Sequence, residues 1–506
     1  MRRLSLIAAA IAALATGCSM APKYERPAPP VSANFPAGGV YSTQPGAADA
    51  GARSANGVAA ADIGWRDFFV DARLQRLIDI ALSNNRDLRV SVLNIQAAQA
   101  QYRIVRSELF PAIAAQAGPS VQRTPRDLSF FNQTISRSYS VGLNASWELD
   151  LFGRVQSLKD QALAQYFSTA YARKAAEILL VSQVASQYLQ VLQADDLLQV
   201  TEQTLKTTQE SYNIVKLQFD NGTASELDLS QSQTVVETAA SNLQAQQRAR
   251  AQAVNALVLL IGEPIPDDIP TGMSLNEQDL LTDIPAGLPS DLLTRRPDIM
   301  EAEQNLLAAN ANIGAARAAF FPSISLTGSF GTLSPTLGGL FKPGSAAWSF
   351  APTITLPIFE GGQNQANLDL ANIQKNIQIA QYEKAIQSAF RDVADGLAAR
   401  GTYDQQIKAL ERDTAAQQRR LDLSTMRYRQ GVDSYLNVLT AQQDLYSVQQ
   451  TLITARTERL ANLVTLYQAL GGGWVEHTGD QPRPADAPAD VGAASAPRAA
   501  SSAAAG

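Results

Sequence analysis

The sequence SELFPAIAAQAG (residues 107–118) recurs in modified form as AAFFPSISLTGS (residues 318–329), about 210 residues later. In both segments a helix-like run ends at Phe-Pro, and a segment of alternating apolar and small or polar residues follows. Proline ends a helix because it lacks the backbone N–H that would continue the hydrogen-bond ladder. We therefore interpret Phe110–Pro111 and Phe321–Pro322 as two equivalent helix–strand junctions.

Two further pairs of segments recur in the same order and at a similar spacing. SWELDLFGR (residues 146–154) corresponds to TITLPIFEGG (353–362), and LQFDNGTASELDL (217–229) corresponds to MRYRQGVDSYLNV (426–438). One such match could arise by chance between Ala- and Gln-rich helices. Three matches in order indicate a duplicated unit of about 200 residues.

Each repeat contains one long helical run and two shorter ones. Residues 154–221 and 363–430 lack proline and place apolar residues at three- and four-residue steps, which is typical of coiled-coil-like helices. Asn-Gly or Gln-Gly then predicts a tight turn, and a return helix of about 39 residues follows. The return helix and the run before each Phe-Pro, laid end to end, are about as long as the proline-free run. The pattern therefore predicts a helical hairpin about 100 Å long, in which the proline-free run is a continuous arm and the two shorter runs form a broken arm.

Four segments show the two-residue periodicity of strands. The clearest is residues 138–151, and residues 112–121, 323–330 and 348–358 show the same alternation. Pro352 and Pro357 predict a bulge or a local loss of pairing in the last segment.

The apolar face of these strands must be covered either by a second layer of protein or by lipid. A soluble sandwich is the alternative, but the remaining chain is committed to long helices. Tyr139, Trp147 and Trp348 are predicted to be aromatic residues at the membrane interface. Because four strands cannot close a barrel and open edges are costly in lipid, several chains are expected to share one barrel.

The N-terminus has the pattern of a secretory signal. Arg2 and Arg3 precede an apolar stretch that is too short to span a bilayer, and Cys18 follows Gly17. The arrangement resembles a bacterial lipobox, which implies cleavage before Cys18 and acylation of its thiol. Ser19 in place of aspartate implies an outer-membrane destination by the same resemblance. An ordinary signal peptide with an incidental cysteine is the alternative.

The composition argues against several other classes of protein. A net charge of -6 without a Lys/Arg cluster argues against nucleic-acid binding. One cysteine and one histidine argue against a disulfide framework, a zinc cluster or a Cys/His nucleophilic site. We therefore predict no catalytic site, no metal site and no cofactor.

The Cys18 motif, KYERPAPP (residues 23–30), the twin Phe-Pro junctions and QGVDSYLNVLTAQ (430–442) together resemble OprM-type, NodT-family outer-membrane factors of the TolC superfamily. The resemblance implies an α+β membrane protein that forms a homotrimer. A twelve-stranded transmembrane β-barrel, with four strands per chain, would continue into a twelve-helix periplasmic α-barrel. The implied function is the outer-membrane exit duct of a tripartite efflux system that exports drugs or other small molecules. Its implied partners are a periplasmic adaptor, an inner-membrane pump of the RND type and outer-membrane lipid.

The same resemblance implies a gate at the periplasmic tip. The gate residues would be Leu436, Asn437, Thr440, Gln443 and Asp228, and Leu436, Thr440 and Gln443 share one helix face. In relatives whose gate is closed by a salt bridge, Asp and Arg occupy the positions of Thr440 and Gln443. Both residues are neutral here, so Leu436 is expected to form an apolar constriction instead. The alternative is that Leu436 packs between helices. The tip turns expected to contact the adaptor contain Asn221, Gly222, Gln430, Gly431 and Asp433.

These interpretations divide the chain into six parts. They are a signal peptide (1–17), a lipidated extended linker (18–72), repeat one (73–262), an equatorial connection (263–290), repeat two (291–474) and a disordered tail (475–506). Three other functions are the alternatives. A trimeric adhesin would have contiguous C-terminal strands, a periplasmic adaptor would have β-rich domains around one hairpin, and an enzyme would have a catalytic constellation.

Overall fold

The structure is a computed structural model that describes residues 20–41, 59–125, 135–278, 280 and 289–480. The chain divides into two compact units. Unit 1 comprises Met1–Ala28, Asn94–Ala170 and Glu301–Glu383, and unit 2 comprises Pro29–Leu93, Tyr171–Met300 and Lys384–Gly506. The signal peptide, Cys18 and residues 481–506 lie outside the described residues.

The described residues are mostly helical. The helices are α1 (Trp65–Phe68), α2 (Ala72–Asn84), α3 (Arg86–Ser107), α4 (Arg154–Asp220), α5 (Glu226–Ile261), α6 (Pro289–Arg295), α7 (Pro297–Ala318), α8 (Gln363–Arg429) and α9 (Tyr435–Ala469). The two long proline-free runs are confirmed as α4 and α8, each of 67 residues. Among the described helices, none is long and apolar enough to cross a membrane.

The helical run before the first junction is divided in two at Asn85. Its side-chain Oδ1 accepts a hydrogen bond from the backbone N–H of Leu88 at 2.9 Å and so caps α3. Its Nδ2 donates to the carbonyl of Leu260 at 2.8 Å. The periodicity alone predicts one uninterrupted run, because both helices keep apolar residues at helical spacing.

Four strands form one antiparallel sheet in unit 1, in the order β1-β2-β3-β4. They are β1 (Ala112–Arg123), β2 (Ile135–Leu149), β3 (Ser323–Ser334) and β4 (Ala346–Thr355). All four strands predicted from the alternation are confirmed. Within the described chain β1 and β4 are the edge strands, each with one neighbour.

The register gathers the apolar residues of all four strands on one face. One row across the sheet consists of Ala115, Leu143, Phe330 and Trp348. The opposite face is polar: Asn144 Nδ2 donates to Gln116 Oε1 at 2.5 Å, and the hydroxyls of Ser329 and Ser349 lie 2.7 Å apart. A one-residue slip in any strand would mix the two faces, so the pattern fixes the register.

The expected bulge at Pro352 does not occur. Pro352 pairs with Leu326 in an uninterrupted register, and β4 ends at Thr355, before Pro357. Within the described chain β4 has β3 as its one neighbour, and proline within sheets is found mainly in strands of this kind.

Residues 65–68 and 475–478 are packed in unit 2, although the sequence assigned them to an extended linker and a disordered tail. Trp65 and Phe68 are buried, and the Phe68 ring stacks on Tyr467 with centroids 4.1 Å apart. The backbone N–H of Trp65 donates to the carbonyl of Val475 at 2.9 Å, and Arg66 Nε lies 2.7 Å from Glu476 Oε1. Residues 59–72 and 475–478 therefore belong to unit 2, because aromatic burial outweighs the entropy of these Ala- and Gly-rich flanks.

Candidate functional sites: the helical tip and the helix–strand junctions

The turns that follow α4 and α8 have the same backbone structure. Gly222 and Gly431 have φ angles of 72° and 73°, a region that glycine enters without steric cost. In each turn the glycine N–H and the next N–H bond back to carbonyls of the last helical turn, which is a Schellman motif. These bonds are Gly222 to Phe219 at 2.8 Å, Thr223 to Gln218 at 2.8 Å, Gly431 to Tyr428 at 2.9 Å and Val432 to Arg427 at 3.0 Å.

The two turns lie at the same end of unit 2. The Tyr428 hydroxyl donates to Gln218 Oε1 at 2.7 Å, which joins the last turns of α4 and α8. An apolar cluster beside them is contributed by α4, α8 and α9 and contains Val215, Leu421, Tyr435, Val438, Leu439, Ala441, Leu445 and Val448. The structure thus brings together the tip residues Asn221, Gly222, Gln430, Gly431 and Asp433, which the sequence assigned to separate repeats.

The predicted gate residues of α9 lie on the side of the helix that the apolar cluster does not use. Leu436 is 56% exposed, Asn437 and Gln443 are exposed, and Thr440 is half-buried. The Thr440 hydroxyl donates to the carbonyl of Leu436 at 2.9 Å, so it is satisfied within the helix. Leu436 is exposed in the single chain, so it is available either to a constriction or to packing against a helix of another copy.

Charged residues at the tip have defined local partners. Arg427 pairs with Asp433 across the second turn, with Nε–Oδ2 and Nη2–Oδ1 distances of 2.5 and 3.3 Å. The hydrogen bond from Arg427 lowers the pKa of Asp433 below its ordinary value. Asp228 forms a capping box with Ser225 at the start of α5, so its carboxylate stabilises a helix end. Arg427 was not predicted from the sequence, although it lies six residues before Asp433 across the Gln-Gly turn.

Hydrogen bonds and one aromatic stacking contact hold the helix–strand junctions of unit 1. The Trp147 indole N–H donates to the carbonyl of Leu109 at 3.1 Å, one residue before Phe110. Phe152 and Phe321 stack with centroids 4.9 Å apart, which brings the start of α4 to the second junction. Arg154 makes two hydrogen bonds to the Glu148 carboxylate, at 2.9 and 2.8 Å.

The predicted interfacial aromatic residues share the apolar face of the sheet. Tyr139 and Trp147 are eight residues apart in β2, which corresponds to about 26 Å along a strand. Strands of transmembrane barrels tilt by about 35–45°, so this separation spans roughly 20 Å across the membrane, somewhat less than the apolar band of roughly 25 Å. Trp348 lies in the row of Leu143, midway between the two, so the register does not place it at an end of this interval as the sequence predicted.

A buried polar centre in unit 2 was not predicted from the sequence. The Asp71 carboxylate accepts hydrogen bonds from the backbone N–H of Arg73 at 2.8 Å, the Tyr188 hydroxyl at 2.9 Å, the N–H of Met273 at 3.0 Å and Gln278 Nε2 at 2.6 Å. Burial and the nearby carboxylate raise the pKa of Tyr188 well above its ordinary value, so its hydroxyl remains a donor. Asp71 thus fixes part of the connection after α5 to α2 and α4.

The described residues contain no group of three or more His, Cys, Asp or Glu side chains arranged to hold a metal ion. The candidate functional features of the described residues are surfaces and junctions. They are a helical tip with an exposed α9 face and a sheet with one continuous apolar face.

A family model described as "Outer membrane efflux protein" matches residues 77–263 and 288–472. The chain belongs to the outer membrane efflux protein family. It is 50% identical over 479 residues to the antibiotic efflux pump outer membrane protein ArpC of Pseudomonas putida, covering 94% of this chain and 97% of that protein. It has the same identity and coverage with the toluene efflux pump outer membrane protein TtgC, also of Pseudomonas putida.

Solved structures agree with this family assignment. The open state of the MtrE outer membrane channel of Neisseria gonorrhoeae matches with a TM-score of 0.79 and 43% identity, covering 92% of this chain and all of that one. The family resemblance drawn from the sequence motifs is confirmed, and so are the outer-membrane location and the role in efflux. Members of this family are channel components of efflux systems, not enzymes.

Proposed function

We propose that three copies of the chain form the exit duct of a tripartite efflux system. The observation that carries this proposal is the four-stranded sheet, whose apolar face is continuous and whose two edge strands lack a second neighbour within the described chain. In lipid, every backbone N–H and C=O needs a partner, so β1 of one copy would pair with β4 of the next. The apolar face would then contact lipid and the polar face would line a lumen.

The number of copies follows from the width of the lumen. Two copies would give eight strands, and the interior of an eight-stranded barrel is filled by side chains. Three copies give twelve strands and leave an aqueous passage. The duplicated unit is supported by the family model, which matches both halves of the chain, and by the two identical tip turns. On this proposal, residues 73–262 and 291–474 are the two repeats and residues 263–290 connect them.

Lipidation of Cys18 is the second part of the proposal. It is supported by the basic and apolar leader and by the position of the only cysteine directly after Gly17. Two or three acyl chains, at about 0.8 kcal/mol per buried methylene, would anchor the N-terminus firmly. Mass spectrometry of the mature protein is expected to show an acylated N-terminal cysteine. A mature chain with an unmodified thiol would exclude this part.

The tip is the proposed contact for the periplasmic adaptor, and the α9 face is the proposed gate. Exposed apolar side chains surround the two turns and include Leu217, Leu227, Met426 and Val432. A surface of this kind is typical of a docking site. The relatives are named as outer membrane proteins of efflux pumps, which supports an adaptor and an inner-membrane pump, proposed here to be of the RND type.

The proposed substrates are apolar solvents and antibiotics, because two relatives at 50% identity are named for toluene and antibiotic efflux. The test is to delete the gene in its host and to measure growth with toluene and with a panel of antibiotics. We expect greater sensitivity, restored by the wild-type gene. Pull-down of the tagged wild-type chain is expected to recover an adaptor and a pump, whereas a variant with charged residues at Leu227 and Val432 should recover neither. Unchanged sensitivity together with no co-purifying pump would contradict the proposal.

A further inference from the structure

The apolar face of the sheet carries two arginines at the end that leads away from the helices. Residues two positions apart in a strand share a face, and so do directly paired residues of neighbouring strands. Arg137 lies two positions before Tyr139, on the face that also carries Leu143. It pairs with Val121, and Arg123 lies two positions beyond Val121, so both arginines belong to the apolar face. Both side chains are exposed.

The two arginines lie near each other and at the height expected of a membrane surface. Arg137 is ten residues from Trp147 along β2, which at a strand tilt of 35–45° corresponds to roughly 25 Å across a membrane, about the height of the apolar band. Arg137 and Arg123 occupy diagonal positions on paired strands, and such positions are about 7–8 Å apart. Two guanidinium groups at this spacing can donate to the oxygens of one phosphate group.

The loop between β3 and β4 starts at the level of Tyr139 and folds towards the same face. Ser334, the last residue of β3, pairs with Tyr139 and lies four positions after Phe330, so its side chain is on the apolar face. Gly339 packs directly on this side chain, because a Cβ atom at residue 339 would collide with the Ser334 hydroxyl. The loop therefore lies over the outer end of the apolar face.

The loop has a fixed internal structure that presents apolar side chains outward. The Ser345 hydroxyl lies 2.8 Å from the carbonyl oxygen of Leu340 and 2.9 Å from that of Lys342. Leu340 is only 3% exposed. By contrast, Leu337 is 68% exposed and Phe341 is 80% exposed, and the Lys342 side chain beside Phe341 is also exposed. Exposed apolar side chains next to a cation are typical of a surface that contacts lipid.

The charge at this end of the sheet favours an anionic ligand. We name Arg123, Arg137 and Lys342 the basic rim. Within the described residues of the four strands and of the β3–β4 loop, Glu148 is the one acidic side chain, and it is paired near the opposite end of β2. Residues 126–134 lie outside the described residues and carry one arginine and one aspartate, which add no net charge.

We propose that the basic rim binds the phosphate groups of a phosphorylated lipid in the outer leaflet, and that Leu337 and Phe341 enter its acyl-chain region. Arginine and lysine at the end of a membrane-spanning segment place their charged groups at the headgroup level while their stems contact apolar surface. The apolar face below the rim supplies the surface for the acyl chains, so the headgroup and the chains of one lipid are contacted together. This inference rests on the proposed barrel, because it requires the apolar face to contact lipid.

The first test is the binding of diphosphorylated lipid A to the purified full-length protein in neutral detergent, measured by native mass spectrometry. Each cation near an anionic lipid contributes about a fivefold change in affinity. We therefore expect Arg123→Gln/Arg137→Gln to weaken binding about 25-fold and Lys342→Gln to weaken it about fivefold. Removal of both phosphates from the lipid should weaken its binding to wild type at least as much as the double substitution does.

The matched control is Arg248→Gln/Arg419→Gln, which removes two exposed arginines from α5 and α8. It should bind lipid A with wild-type affinity. Wild-type affinity of the double rim variant, or equal binding of the phosphorylated and the phosphate-free lipid to wild type, would overturn the proposal. Should the double rim variant fail to assemble, Lys342→Gln and the preference of wild type for the phosphorylated lipid decide the matter.

A second test separates this inference from the proposed barrel. In a Cys18→Ser background, a bimane label is attached to Phe341→Cys, to Phe330→Cys in the middle of the apolar face, or to Asn221→Cys at the tip. The labelled protein is reconstituted in vesicles of brominated phosphatidylcholine, whose acyl chains quench a label that contacts them. We expect quenching at residues 341 and 330 and none at 221. Quenching at 330 without quenching at 341 would overturn the lipid contact of the loop and leave the barrel intact. An absence of quenching at both positions would contradict the proposed barrel itself.

Discussion

At the scale of single residues, Asp71 shows how much structure one buried carboxylate can organise. Its four donors come from α2, from α4 and from the connection after α5, and they lie up to 207 positions from Asp71 in the sequence. Removing the acceptor from such a cluster is destabilising, because each buried donor has lost its hydrogen bonds to water and would then have no hydrogen bond in the protein to compensate.

We expect Asp71→Ala to destabilise the protein by about 3–5 kcal/mol, since it orphans several buried donors at once. Tyr188→Phe removes one donor and leaves the carboxylate satisfied, so a loss of about 1 kcal/mol is expected. Denaturant midpoints followed by circular dichroism measure both changes, with exposed Asp220→Ala as the control. Similar midpoints for Asp71→Ala and Asp220→Ala would contradict this role.

The exposed Leu436 gives the prediction for the proposed gate. A ring of apolar side chains at a narrow point repels water and ions, and a charge there would force the ring apart. Leu436→Asp is therefore expected to raise single-channel conductance in planar bilayers and to admit bulky antibiotics into cells. Leu436→Met preserves an apolar ring and is the matched control. Wild-type conductance of a correctly assembled Leu436→Asp channel would place the closure elsewhere.

The Arg427–Asp433 pair predicts the pH dependence of the tip. The pKa of Asp433 is lower in the folded protein than in the unfolded chain, where it is about 3.9. The contribution of Asp433 to stability is therefore present above the unfolded pKa and is lost as the pH falls through the folded pKa. Asp433 thus stays ionised from pH 8 to pH 5. We expect Arg427→Ala and wild type to show the same conductance profile in that range. A transition between pH 5 and 8 that Arg427→Ala abolishes would contradict this assignment.

At the scale of elements, the sequence is informative wherever a structure depends on local pattern. The proline-free runs predict α4 and α8 to within one residue at their C-terminal ends, and the alternation locates all four strands. Asn85 and Pro352 were misread because a helix cap inside a periodic run and an edge position in a sheet depend on neighbours distant in sequence. The tip turns were identified by their glycines, whereas Asp71 and the Arg26–Glu303 pair required contacts over 100 or more positions.

The glycine turns give a prediction at this scale. Any Cβ atom at Gly222 or Gly431 would meet open space, so the cost of Gly→Ala comes only from the positive φ angle. We expect each substitution to lower the free energy of unfolding by about 1 kcal/mol, with the effect confined to the tip. Hydrogen exchange should accelerate in the last turns of α4 and α8 and stay unchanged in the sheet. Gly118→Ala is the control, because its surroundings are open and its φ is not positive.

At the scale of the whole molecule, the sheet of one chain is incomplete as a membrane structure. Its apolar face carries Ile113, Leu143, Phe330, Trp348 and Ile354, all of them exposed in the single chain. A soluble monomer rarely leaves an apolar surface of this extent uncovered. Lipid can cover the face, but it cannot supply hydrogen bonds to the outer edges of β1 and β4, and in the proposed barrel further copies supply them.

We therefore expect the purified protein to be a trimer in mild detergent, with a protein mass of three 54.2 kDa chains less their signal peptides. Light scattering corrected for bound detergent measures that mass. Unboiled samples should migrate on a gel as one heat-modifiable band. A Cys18→Ser variant that is exported should give the same trimer, because the proposed contacts between copies lie in the strands and helices. If the functional species were a dimer, eight strands would leave no passage for a drug-sized solute, and the proposed barrel would be wrong.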